Sequence, residues 1–267
     1  MPADMIDASH GESRGAKSGL IPPDPMSDAC ARFFRSHVEL WRFIGFVSDL
    51  ALRVDDMARI AADALPPGVS GRPAGGANSA PEGAMARGLR AQRHVFLHMV
   101  LARAVDNYLV YLAELMSALF VNSPQALAAA EQVTLATVLE HDTIEELVED
   151  LAQERVGELG RQGVDALERY LADRFGFQLF LADGELDRAI RLTETRRLIV
   201  HHRGCVTRRF LNRLPNQLYK LGQPLELAID QVFEDCSFLA ASVADIDVRA
   251  ADQFDLSRPI TGTLPIG

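Results

Sequence analysis

Residues 85–121, MARGLRAQRHVFLHMVLARAVDNYLVYLAELMSALFV, are apolar on nearly every side. A segment of that kind suits a helix buried at the centre of a bundle, because a surface helix keeps one polar face. The spacing predicts one helix from Ala84 to Val121, ended by Asn122-Ser123-Pro124, with a short helix after it.

Working outward from that segment, both sides read as helix. Upstream, Ser27 or Asp28 can cap a long helix running to about Leu65. Its apolar positions Phe33, Phe34, Leu40, Trp41, Ile44, Val47, Leu50, Ala51, Val54, Met57 and Ile60 recur at three and four. Residues 1–27 are rich in Gly, Ser, Pro and Ala and predict a mobile tail, and residues 66–83 predict a flexible surface loop. Downstream, Thr143 followed by Glu146 forms a capping-box pattern opening a helix to about Gly160. Further helices are expected over about Val164 to Phe175, from Asp183 onward, and from about Pro224 to Ala250, with residues 251–267 as a tail. No stretch alternates with period two for long, and no repeat recurs at a fixed period. The expected fold class is all-α: a helical bundle over 84–250 with an additional long N-terminal helix over 28–65.

Composition narrows the functional classes. The chain of 267 residues is 48% hydrophobic and 24% charged, an ordinary globular balance. Its net charge of −10 argues against a surface that coats nucleic acid along its whole length, while leaving a local basic site open. The 27 basic residues include only two lysines, Lys17 and Lys220, as a GC-rich bacterial genome would give. Cys30, Cys205 and Cys236 are odd in number and widely spaced, which fits a reducing cytoplasm better than a disulfide framework. No secretory leader pattern and no uninterrupted apolar run of membrane-spanning length is present, so a soluble cytoplasmic protein without membrane association is expected.

Against that acidic background one stretch reverses sign. Between Arg188 and Arg213 there are eight arginines and one acid, Glu194, a local formal charge of +7. Part of this has an immediate local explanation: cations suit a helix C-terminus, and Gly204 can supply a left-handed cap. On a regular helix Arg197 and His201 lie about 40° apart and Arg196 and His201 about 140° apart. Cooperation of the second pair would then need a distorted helix end or a cleft shared with another chain.

The run Arg196-Arg197-Leu198-Ile199-Val200-His201, followed by His202-Arg203-Gly204, resembles the signature of the HEPN superfamily. That signature has an arginine, a polar residue, three mostly apolar residues and a histidine, often followed by Asn-x-Gly. Arg197 stands where Asn, His or Asp is usual, and His202 stands where Asn is usual. The doubled residues also allow a shifted register, Arg197 with His202, which would put Leu198 in the polar slot. The order of helices from about Arg90 to Ala250 resembles that family too, and the N-terminal helix lies outside the likeness.

What the resemblance implies is metal-independent RNA endonuclease activity without a cofactor, in a homodimer whose two motifs meet in one cleft. A toxin or defence role follows, with an antitoxin or a nucleotidyltransferase as possible partner. His201 would act as acid or base and Arg196 would stabilise the charged phosphorane, since imidazole titrates near neutrality and guanidinium offers a planar fork to phosphate. Arg197, His202 and Arg203 would make supporting contacts to RNA. Arg208, Arg209 and Arg213 could extend the phosphate track, but solvated surface roles are expected for them. The alternative is a HEPN-like module that dimerises or binds RNA, nucleotide or protein without cutting.

Two other constellations are considered. His94 and His98 share a helix face at His-x3-His spacing, but Val95 follows His94, so the metalloprotease glutamate is missing. A packed or surface pair, and no metal, is expected there. Asp106 and Glu114 lie nearly on one face of the central helix; a buried acidic pair facing arginines is one reading, and solvated or structural roles outside the site are expected instead.

Overall fold

The computed structural model describes residues 22–64, 83–123, 138, 141–215 and 219–262. Among them are eight helices: α1 (Asp28–Ala64), α2 (Ala84–Ala91), α3 (Arg93–Asn122), α4 (Ile144–Gln162), α5 (Val164–Phe175), α6 (Glu185–His202), α7 (Arg208–Arg213) and α8 (Ile229–Phe254). The only bridges among these residues are isolated, so the fold is all-α, as the patterning predicts. The expected loop over 66–83, apart from Gly83, and the short helix after Pro124 lie outside the described residues.

α3 is the axis of the bundle. Leu101, Val105, Tyr108, Tyr111, Leu112, Met116, Leu119 and Phe120 on it are buried, and it packs against α1, α4, α6 and α8. It is also long and apolar enough to cross a membrane, which a count of uninterrupted apolar runs did not reveal; half of its most apolar window is buried inside the bundle. The expected helix from Ala84 to Val121 is divided at Gln92, which takes φ −99° and ψ 11°. Asp55 of α1 accepts the backbone N–H groups of Met85 (3.0 Å) and Ala86 (2.8 Å) and so fixes the start of α2. α4 begins as a capping box, with Thr143 Oγ1 accepting the Glu146 N–H at 3.2 Å and Glu146 reaching back to the Asp142 N–H at 3.1 Å.

The ends of the described chain are tied together. Met26, at the boundary assigned to a tail, is fully buried and exchanges backbone hydrogen bonds with Ile260 (2.9 and 3.2 Å), inside the expected C-terminal tail. Both expected tail boundaries therefore move outward. Ser27 caps α1 through the Cys30 N–H (3.1 Å), and its own N–H and hydroxyl donate to Asp247, a buried carboxylate of α8. α8 also runs four residues past Ala250, with Ile246, Asp247 and Ala250 continuing the inner face.

α1 departs from its sequence pattern. Phe33, Phe34, Ile44 and Ala51 are buried, but Leu50, Val54, Met57 and Ile60, expected on the same inner face, are exposed. Near the start of the helix, His37 is buried between Phe33 and Trp41, with Trp41 Nε1–H donating to His37 Nε2 at 2.8 Å. Burial disfavours the imidazolium and lowers the His37 pKa to about 4. The folded protein thus binds this proton less readily than the unfolded chain, so stability is full above the ordinary histidine range and falls as pH drops from about 6.5 to about 4. We expect urea titrations across that window to show a loss of about 3 kcal/mol, and His37→Gln to remove that part of the pH slope whatever its effect at pH 7.

Candidate functional site

α6 carries the arginine-rich motif, and its rotation is set from behind. Arg188 donates Nε and Nη2 to Asp235 of α8 at 3.0 and 2.8 Å, and Arg191 reaches the same carboxylate at 2.8 and 3.3 Å. Asp235 is only 1% exposed, so it depends on these guanidiniums for its solvation. With 100° per residue, Arg188 and Arg191 lie on the side of α6 opposite Thr193 and Arg197.

That opposite side borders a cavity of about 430 Å³. Thr193, Glu194, Arg196, Arg197 and His201 line it from α6, joined by Arg161 at the end of α4 and Arg209 on α7. The facing wall is apolar: Leu112 and Met116 of α3, Leu159 of α4 and Leu167 of α5, all buried. Four guanidiniums against the Glu194 carboxylate leave this lining at +3 with His201 neutral, in a chain of −10. The α6 contribution spans an arc of about 160° from Arg196 to Glu194, with Thr193 and Arg197 at its middle.

The structure brings together three of the five motif residues singled out from sequence. Arg196, Arg197 and His201 border the cavity; His202 and Arg203 are exposed at the end of α6 and do not line it. α6 is helical through His202, and Arg196 and His201 nevertheless reach one cavity within one chain, so their 140° separation does not by itself require a second chain. Arg196 Nε lies 2.7 Å from Asp106 Oδ1 of α3, a charge contact that lacks the alignment of a hydrogen bond. Arg197 makes no hydrogen bond or ion pair among the described residues, and neither does Arg161.

Elsewhere the basic stretch is neutralised. Arg213 binds Asp165 through Nη2 (2.5 Å) and Nη1 (3.1 Å) and approaches Glu194 at 3.4 Å; hydrogen bonding from this guanidinium holds the Asp165 carboxyl below its ordinary range. Arg209 contacts Glu194 at 3.5 Å while lining the cavity, so the expectation of a merely solvated surface residue does not hold for it. Arg208 is exposed. Arg161 and Arg209 are the cavity residues that the motif did not indicate. No local signal marks Arg161, which is brought in only by the packing of α4.

The helix end is built more tightly than a simple glycine cap. Arg203 (φ 55°) and Gly204 (φ 72°) are both left-handed, and the Gly204 N–H returns to Leu198 O at 2.9 Å. A Cβ at Gly204 would stand 2.7 Å from His98 Cε1. His98 itself sits 3.1 Å from Leu225 O through Nε2 and packs perpendicular to His94. His98 thus packs against the end of α6, while His94 stands exposed beside it. Asp106 and Glu114 each face an arginine, Arg196 and Arg32 respectively, on different helices.

Comparison of the chain with family models, with curated proteins and with solved structures finds no match. For the helix end we expect Gly204→Ala to cost about 1–3 kcal/mol, from positive φ and the clash with His98 together. Denaturant unfolding at pH 7 measures this, and a neutral outcome would mean that the end of α6 relaxes freely.

Proposed function

We propose that the cavity bordered by Arg196, Arg197 and His201 is the catalytic cleft of a HEPN-type RNA endonuclease. The observation that carries the reading is the convergence of four guanidiniums and one histidine on a concave site in an otherwise acidic protein. A phosphodiester needs both kinds of group. The guanidiniums offset the two negative charges of a phosphorane and present planar pairs of donors to its oxygens. His201 is exposed to solvent, and an imidazole ring can both give and take a proton.

The chemistry balances without an outside reactant. The ribose 2′-oxygen attacks the adjacent phosphorus as its proton passes to a base, and the bond to the 5′-oxygen breaks as that oxygen gains a proton. The products are a 2′,3′-cyclic phosphate and a 5′-hydroxyl. His201 takes one of these proton transfers. Among the described residues the cavity lining holds no second histidine, so the other transfer falls to water or, in the homodimer that the family likeness implies, to His201 of the second chain. Asp106 restrains Arg196 at the rim, and Arg197, at the centre of the lined arc, is the guanidinium best placed to meet the phosphate.

A non-catalytic binding module is favoured by one observation: Arg196, the residue assigned to the transition state, is already engaged by a carboxylate. The two readings separate experimentally. In excess EDTA, purified protein is expected to cleave a labelled RNA pool to cyclic-phosphate ends, with His201→Ala reducing the rate by about 10²–10⁴-fold and leaving the unfolding midpoint unchanged. Arg197→Ala should weaken RNA binding in parallel. Retained RNA binding with no cleavage by any variant would establish the binding module instead.

A further inference from the structure

One acid stands in the cationic cavity, where a site for phosphate alone gains nothing from it. Glu194 lines the cavity from α6 with its side chain only 8% exposed. A carboxylate there repels the phosphate oxygens that Arg161, Arg196 and Arg197 attract. Its arginine neighbours do not require it. Arg213 is bound through both Nη atoms to Asp165, and its Nε, 3.4 Å from Glu194 Oε1, makes no hydrogen bond. Arg209 reaches the same oxygen at 3.5 Å, the outer limit of a hydrogen bond, and is itself half exposed.

Glu194 Oε2 accepts no hydrogen bond among the described residues, although the side chain is buried. It is not among the polar atoms sealed from solvent without a partner, so it opens onto the cavity that Glu194 lines. An ionised carboxylate only accepts. The part of a ligand that meets Oε2 must therefore carry N–H or O–H donors, while the part that meets the guanidiniums carries negative charge.

The surroundings of Glu194 narrow what bears those donors. Arg213 ties Glu194 to Asp165 at the start of α5, which sets this end of the cavity against Val164 and Leu167 of α5. A flat group with apolar faces and donors on its edge fits such a wall, and in RNA that group is a base lifted from its stack. Guanine alone presents two adjacent N–H donors, from N1 and the 2-amino group, matching the two oxygens of a carboxylate. Oε1 keeps a second lone pair beside its long contact to Arg209. Adenine and cytosine set an acceptor nitrogen beside their amino group, and uracil flanks its one N–H with two carbonyls, so each brings a lone pair against the carboxylate. Position along α6 agrees. Glu194 and His201 stand about 20° apart around the helix and about 10 Å along it, with Arg197 between them. That is the reach of a single nucleotide, from the hydrogen-bonding edge of its base to its phosphate.

We propose that Glu194 is a specificity-determining residue that reads the Watson–Crick edge of an unpaired guanine seated on the apolar wall, so that the site takes single-stranded RNA at guanosine. This rests on RNA as the ligand of the cavity, and base reading and cleavage are measured separately.

Titration calorimetry of the full chain with nucleoside 3′,5′-bisphosphates, which carry a phosphate on either side of the base, tests the base site without cleavage. The guanosine form is expected to bind at least about tenfold more tightly than the adenosine, cytidine, uridine and inosine forms. Inosine is the sharpest comparison, since it keeps N1–H and lacks only the 2-amino group. Glu194→Gln should abolish the preference, and the inosine comparison, made on the unaltered protein, decides the matter should that variant not fold. Sequencing of the cyclic-phosphate ends from digested RNA should place the cuts next to guanosine. Guanosine-selective binding with no cleavage upholds the base site and overturns the ribonuclease reading. Cleavage without preference among the four bases overturns the base site and leaves the ribonuclease reading standing. Equal affinity for the guanosine and inosine forms, or binding of neither, overturns Glu194 as the reader.

Discussion

A single buried carboxylate orients the motif helix. Asp235 is removed from water and is solvated by Arg188, Arg191 and the Gln231 amide. Taking an unpaired carboxylate into an interior costs several kcal/mol, so the clamp cannot open without loss of stability, and α6 cannot rotate while it is closed. Because the two clamping arginines lie on the back of the helix, the front is committed to the cavity: Arg197 at the centre, Arg196 to one side and His201 to the other. The basic stretch thus has two halves with different duties. Its first two arginines satisfy the core, and the next two line the cavity.

The same division explains how an acidic protein tolerates eight arginines so close together. Arg188 and Arg191 meet Asp235, Arg196 meets Asp106, Arg209 meets Glu194, and Arg213 meets Asp165 and Glu194. Three of these four acids come from α3, α5 and α8 and only Glu194 from α6, so neutralisation is mainly a tertiary effect. Arg197 and Arg161 are left in the cavity as cations without a carboxylate among the described residues, which is where local positive potential concentrates.

Legibility in the sequence followed the range of the forces. Helix starts with a local cap were legible, as at Asp28 and Thr143, because a side chain reaches an N–H only three residues away. The start of α2 was not, since its cap is Asp55 on another helix. The motif gave Arg196, Arg197 and His201 as a group, and all three border the cavity; it also gave His202, which sits on the opposite side of α6, and Arg203, which lies in the left-handed turn, and neither lines it. Arg161 and Arg209 arrive by packing that no pattern of seven residues encodes. α1 taught a different lesson: an apolar period fixes that one side of a helix avoids water, yet leaves open whether its own chain supplies the cover. Ile44 and Ala51 have that cover, and Phe46 and Met57 do not.

The join between Ser27 and Asp247 bears on the protein's synthesis. The two residues are 220 positions apart, so at a translation rate of about 5–20 residues per second the first helix leaves the ribosome roughly 10–45 s before its anchor exists. Phe33 and Phe34, which end up in the core, spend that interval without the α8 surface that holds the start of α1 in place. The element made first is completed last. Until α8 emerges, the start of α1 is held by local helix formation alone.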